Sequence, residues 1–170
     1  IAEDESFDVK VLPAWRPDKA MNIEKPDYLE YIEKLNASVG FDEIRSFGKL
    51  KRALVQRMEF FNTMGCNVSD HGMDYVMYAP ASDDEIEAIF LKRLNRMVLT
   101  QKEICKFKTA FMLFMGREYA RLGWAMQLHI GALRNNNKRM YEKLGPDTGY
   151  DSINDLCIAE DLGACLSYLE

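Results

Sequence analysis

Histidine is scarce in this sequence, with only His71 and His129 among 170 residues. Two histidines cannot build a catalytic zinc centre unaided, because such a site takes three protein ligands and a water. The four cysteines, Cys66, Cys105, Cys157 and Cys165, stand far apart and form no CxxC pair. That argues against a zinc ribbon and for reduced, mostly buried thiols. No apolar run approaches the roughly 18 residues a membrane span needs. The opening stretch "IAEDESFDVKV" has neither a basic region nor an apolar signal core, so no targeting segment and a cytoplasmic location are expected. Positive charge is short as well: the net charge of −5 disfavours nucleic acid as a partner, which asks for a clustered basic face. The local basic run at 49–52 reads as a solvated helix face. There is no GxGxxG, no phosphate-binding loop and no GxSxG elbow, so nucleotide-dependent redox chemistry, phosphoryl transfer and serine hydrolysis lose ground.

What is present suits one domain with a real core, at 48% hydrophobic residues. "FDVKVLPAW" (7–15) is rich in β-branched and aromatic residues and reads as a strand that Pro17 ends. "KPDYLEYIEKLNASVG" reads as a helix with Pro26 in its first turn and Gly40 past its end. Ser46 caps a third segment, in which Phe47, Leu50, Leu54, Phe61 and Met64 share one stripe before Gly65 stops it. "CNVSD" follows as a short strand. Ser82 with Glu85 and Thr100 with Glu103 are capping-box pairs opening helices of roughly 14 and 23 residues. The second of these carries a stripe of Ile104, Phe107, Phe111, Phe114 and Leu122. Gly123 ends it, "WAMQLHI" is the third strand, and helical patterns follow near 135–144 and 152–169. Strands separated by helix-length crossovers predict a parallel sheet in an α/β fold.

In such folds the reactive groups collect at the C-terminal ends of the strands. Three ends carry polar groups: Arg16, then Asp70 with His71, then His129 with Arg134 close behind. They recur evenly, 55 positions from Arg16 to His71 and 58 from His71 to His129, so neighbouring strands would bring them to one rim. Alternation puts Gln127 and His129 on one strand face, Met126 and Leu128 on the other, and turns Asp70 away from His71. Plainer readings stand beside these. Each histidine can be a hydrogen-bonded structural residue, Arg16 can pair with Asp18 on the surface, and Gln127 can be satisfied by a neighbouring strand. The asparagines at 135–137 can be a helix cap and first turn.

"LPAWRPDKAM", "GCNVSDHG", "MQLHIGALRNNN" and "GPDTGYDSIND", in this order and spanning essentially the whole length, resemble the uronate isomerase (glucuronate isomerase) family of the amidohydrolase superfamily. The resemblance implies a (β/α)8 TIM barrel, of which 1–170 is a single partial domain: strands four to six with their helices and helical insertions. It implies interconversion of D-glucuronate with D-fructuronate and of D-galacturonate with D-tagaturonate, at a site with a divalent metal, zinc foremost. In that reading Arg16 contacts the substrate, and Gln127 and Arg134 sit in the substrate-binding motif. His71 is a metal ligand and catalytic residue, and His129 is a catalytic residue near metal and substrate. The residue types suit the chemistry. An arginine grips a sugar-acid carboxylate with two hydrogen bonds. A histidine can move the proton between C2 and C1 of an enediol, and a divalent ion can polarise the carbonyl.

The family's first-strand His-x-His and last-strand Asp-x-Arg are absent here. Eight units of this size need on the order of 450 residues. The expectation is therefore an internal portion, inactive alone, whose two open sheet edges invite homo-oligomeric association. A uronic acid is the expected partner, with no nucleic acid and no membrane. The alternatives are a metal-dependent hydrolase of the same superfamily and a non-catalytic truncated product.

Overall fold

The computed structural model describes residue 6 and residues 9–41 and 43–169. A short helix, α1 (Asp18–Met21), follows Pro17. Helix α2 (Tyr28–Val39) begins after the N-cap Asp27 and ends at Gly40, whose φ of 68° is the left-handed conformation a glycine adopts without steric cost. Pro26 therefore lies just ahead of the helix rather than within its first turn. Helix α3 (Phe47–Thr63) is capped by the Ser46 side chain, which accepts from the Lys49 N–H. It leads into β1 (Val68–Met73). The crossover to the next strand is a helix pair, α4 (Asp83–Leu94) and α5 (Gln101–Leu122), each opened by the expected capping box. After β2 (Ala125–Ile130) come β3 (Ala132–Leu133), α6 (Lys138–Leu144), β4 (Ser152–Ile153) and α7 (Ala159–Leu169).

β1 and β2 are parallel neighbours, paired from Val68 with Ala125 to Met73 with Ile130. Trp15 joins them as an isolated parallel bridge to Ser69. The parallel α/β expectation therefore holds, but most of the strand predicted over 7–15 does not form. Phe7 and Asp8 lie outside the described residues. Val9 and Val11 are largely exposed, and Pro13 has no N–H to give a ladder. β-Propensity without a neighbouring strand does not make one. The helix predicted over 152–169 starts only at Ala159, because Ser152–Ile153 pairs antiparallel with Ala132–Leu133.

The core lies between the helices and one face of the sheet. Phe90 stacks on Phe107 with ring centroids 6.2 Å apart, and Phe47 meets Phe107 edge-on at 5.3 Å. Burying a phenylalanine of this kind contributes on the order of 2–3 kcal/mol. Of the thiols only Cys66 is buried; Cys105 and Cys165 are half-buried and Cys157 is exposed, contrary to the expectation of mostly buried cysteines, and all four are free. No helix among the described residues is long and apolar enough to cross a membrane.

Glu103 serves two elements. It accepts from the Thr100 N–H at 2.7 Å and from Lys92 Nζ, on α4, at 2.8 Å. The Lys92 ammonium first, and then the Thr100 donors, pull its carboxyl from 4.5 down to about 2. A depressed folded value means that Glu103 stabilises the fold above its unfolded value and loses that contribution as pH falls through the folded one. Solvent screening keeps the contribution to about 1 kcal/mol or less. Glu103→Gln should lower Tm by about 2–4 °C at pH 7, and the gap to wild type should close between pH 5 and pH 2. A gap that stays constant over that range would contradict the account.

Candidate functional site

The Trp15 bridge brings Arg16 to the end of the sheet, beside β1. Pro17 then turns the chain into α1, and the turn folds Asp18 back under β1. There its Oδ2 accepts from the Gly72 N–H at 3.0 Å and from Arg16 Nε at 2.9 Å. Arg16 Nη1 lies 3.3 Å from Asp70 Oδ2. Arg16 therefore bridges two aspartates, and the surface pairing with Asp18 is real.

The register of β1 on β2 decides where the histidines point. Gly72, not His71, is the partner of His129, and Asp70 is the partner of Gln127. A shift of one residue moves a side chain to the other sheet face. Asp70, Gln127 and His129 share the open face. His71 points into the helical layer beside Ser69 and is completely buried. The two histidines do not meet on one rim, which corrects the expectation drawn from their even spacing.

On the open face, His129 Nδ1 approaches Asp70 Oδ1 to 2.7 Å. The Gln127 amide nitrogen lies 3.0 Å from His129 Nε2. An amide nitrogen only donates, so Nε2 is the acceptor and Nδ1 carries the proton toward Asp70. On the buried side, His71 Nε2 lies 2.8 Å from the Tyr119 hydroxyl on α5, and Nδ1 faces Asp18 Oδ1 at 3.3 Å. Burial pushes the Tyr119 phenol far above its ordinary value, so it stays protonated. Burial would also raise Asp18, but its contacts with His71, Arg16 and the Gly72 N–H outweigh that and hold the carboxyl below the usual range.

Arg134 pairs with Asp151 Oδ2 at 2.6 Å, and the Asn135 N–H donates to Asp151 Oδ1 at 2.9 Å. Asn137 caps α6, while Asn135 and Asn136 lie ahead of the helix rather than in its first turn. Arg16, Gly72, Met73, Asp74, His129, Ala132 and Arg134 line one pocket of about 110 Å³. Three of the five expected site residues thus share a pocket, Gln127 touches it through His129, and His71 lies behind it. Small-molecule sites begin near roughly 300 Å³, so these residues form one wall rather than a closed site. A larger cavity of about 520 Å³, where Leu29, Ile32, Leu91 and Leu94 meet Glu33, Glu43, Arg45 and Arg96, shares no residue with this wall and contains no histidine.

A divalent ion does not fit the donors present. Among the described residues no three histidine, cysteine or carboxylate side chains group to hold one. The buried atoms nearest this wall that have only a histidine or aspartate facing them, Asp18 Oδ1, Asp70 Oδ1 and His71 Nδ1, are split between two sheet faces with the Arg16 guanidinium between the two aspartates. A fixed positive charge there repels a cation.

Sequence reasoning missed Asp18 as more than a surface partner, and it missed Tyr119 and Asp151 altogether. The spacing Arg-Pro-Asp held the first signal. Nothing local marks Tyr119, which lies 48 positions from His71.

The family model described as glucuronate isomerase matches residues 1–170. The chain belongs to that family. It is 60% identical over 154 residues to a uronate isomerase of Lachnoclostridium phytofermentans, covering 91% of this chain and 33% of the relative. It is 52% identical over 170 residues to that of Caldanaerobacter subterraneus, covering all of this chain and 36% of the relative. The uronate isomerase structure from Thermotoga maritima superposes with a TM-score of 0.89 at 34% identity, over 98% of this chain and 37% of that one. The glucuronate isomerase structure from Caulobacter crescentus gives 0.80 at 26%, over 93% and 33%. The chain spans about a third of the length of these family members.

Removing the Tyr119 hydroxyl leaves His71 Nε2 buried without a partner. Tyr119→Phe should therefore cost about 1–3 kcal/mol in denaturant unfolding, whereas Gln127→Ala on the exposed face should stay within about 0.5 kcal/mol. Equal effects of the two would show that the buried contact is not made.

Proposed function

We propose that these residues form strands four to six of a (β/α)8 catalytic domain, and that a protein carrying them is a uronate isomerase converting D-glucuronate to D-fructuronate and D-galacturonate to D-tagaturonate. The observation that carries the reading is that Arg16, His129 and Arg134 line one pocket at the C-terminal ends of parallel strands, in a chain of this family.

Each residue has a role that its surroundings support. Arg16, fixed along its Nε edge, presents its outer nitrogens to the sugar-acid carboxylate. Arg134 stands across the pocket as a second cation for the same group. Asp70, 2.7 Å from Nδ1, orients the His129 ring and leaves Nε2 as its acceptor nitrogen. Nε2 of His129 then takes the proton from C2 of the open-chain aldose and returns it to C1 through an enediol, while the O2 hydroxyl proton passes to O1. Gln127, displaced from Nε2 by the substrate, is free to hydrogen-bond a sugar hydroxyl. His71 is assigned no contact with substrate or metal. A divalent ion, zinc by the family resemblance, would need donors other than those described here. Its chemistry would be polarisation of the carbonyl. The substrate is a uronic acid, and the same reading places the enzyme in the cytoplasm.

The test grafts this chain in place of the matched 170 residues of the Caldanaerobacter enzyme and follows ketose formation from both uronates. The grafted enzyme should turn over and the chain alone should not. His129→Ala should lower kcat by about 10²–10⁴-fold, and Arg16→Met should raise KM. A folded graft inert toward uronates but active on an ester or amide would give the site to a hydrolase. Unchanged kcat in His129→Ala would remove the proton-transfer role.

A further inference from the structure

We infer that Asp18 is a positioning residue for Arg16, braced from behind by the buried His71–Tyr119 pair, with Gly72 kept bare to leave the guanidinium its place. The inference deepens the proposed function, since it rests on Arg16 as the group that meets the carboxylate.

Arg16 is half exposed, and an arginine on a surface samples many rotamers. One edge of its guanidinium is nevertheless fixed, because Asp18 takes Nε through the oxygen that also accepts from the Gly72 backbone. The outer nitrogens are then directed along the sheet end, with Nη2 lying over Gly72. A Cβ added at Gly72 would come within 2.7 Å of Nη2 and 3.4 Å of Asp18 Oδ2. Any side chain there pushes the guanidinium out of the pocket wall.

Asp18 is itself held by His71. Asp18 Oδ1 and His71 Nδ1 are buried with no other hydrogen-bond partner, and they face each other at 3.3 Å. A carboxylate opposite a ring nitrogen is tolerated only when that nitrogen carries the proton. Nδ1–H requires Nε2 to accept, and the Tyr119 hydroxyl at 2.8 Å is placed to donate to it. Tyr119 thus selects the tautomer, the tautomer holds Asp18, and Asp18 aims Arg16.

The test has two arms. In the 170-residue chain labelled with ¹⁵N-arginine, the Arg16 Nε–H resonance, assigned with Arg16→Lys, should exchange slowly with solvent. It should lose that protection in Asp18→Asn and weaken in Tyr119→Phe, a second variant that spares the carboxylate. In the grafted enzyme, Asp18→Asn should raise KM for D-glucuronate about tenfold with kcat within about threefold, the pattern of lost ground-state binding. In an Arg16→Met background the same substitution should change nothing further, because its effect passes through Arg16. Fast exchange of the wild-type Nε–H, or exchange indifferent to both variants, would overturn the inference. So would a KM effect that persists in full without Arg16. Protection that responds as expected in a graft inert toward uronates would leave the positioning intact and remove the isomerase reading instead.

Discussion

The Asp18 carboxylate sits where the chain leaves its first sheet contact and turns into α1, and it accepts from both the Gly72 backbone and Arg16 while facing His71. A half-buried carboxylate is costly to keep charged unless its oxygens are engaged. Here the engagement ties the residues after Trp15 to the C-terminal end of β1 and, through Arg16 and Asp70, to His129 on the neighbouring strand. The ends of three chain segments are thereby locked by one group that lies in none of the strands. Removing it would free Arg16, leave His71 Nδ1 without the oxygen it faces, and weaken a polar link between the two sheet faces.

The second constraint is the period of two along a strand, combined with the register. Pairing Gly72 with His129 sends the chain's two histidines to opposite faces. One joins Asp70 and Gln127 where a ligand can reach it; the other joins Tyr119 where none can. Both make a histidine–aspartate contact, yet the environments differ in solvent access: the His129 side chain is half exposed and that of His71 is fully buried. Gly72 belongs to the same logic, since the position opposite His129 is where the guanidinium crosses the sheet.

Much of this was legible in the residues. Ser46, Ser82, Thr100 and Gly123 mark helix ends through local chemistry, and the structure puts caps at each of them. The alternation of "WAMQLHI" gave the faces of β2 correctly, and the motifs around Arg16, His71 and His129 carried the family. What failed depended on distant partners. The segment before Trp15 has strand-forming residues but no neighbour to pair with, and Ser152–Ile153 leaves its helical pattern to pair with Ala132–Leu133. The side of the sheet taken by His71 followed from a register that spacing alone does not fix, and Tyr119 comes from another helix. The small size of the pocket agrees with a chain spanning a third of its relatives' length.

The central claim is that Arg16 and His129 act on one sugar acid from adjacent strands. A crystal structure of the grafted enzyme with glucuronate reduced at C1, which cannot isomerise, tests it most directly. The account predicts the ligand carboxylate within hydrogen-bonding distance of the outer nitrogens of Arg16, Nε still on Asp18, and His129 Nε2 beside C1 and C2. A ligand whose carboxylate is held elsewhere, with Arg16 still closed on both aspartates and His129 still on Gln127, would contradict it.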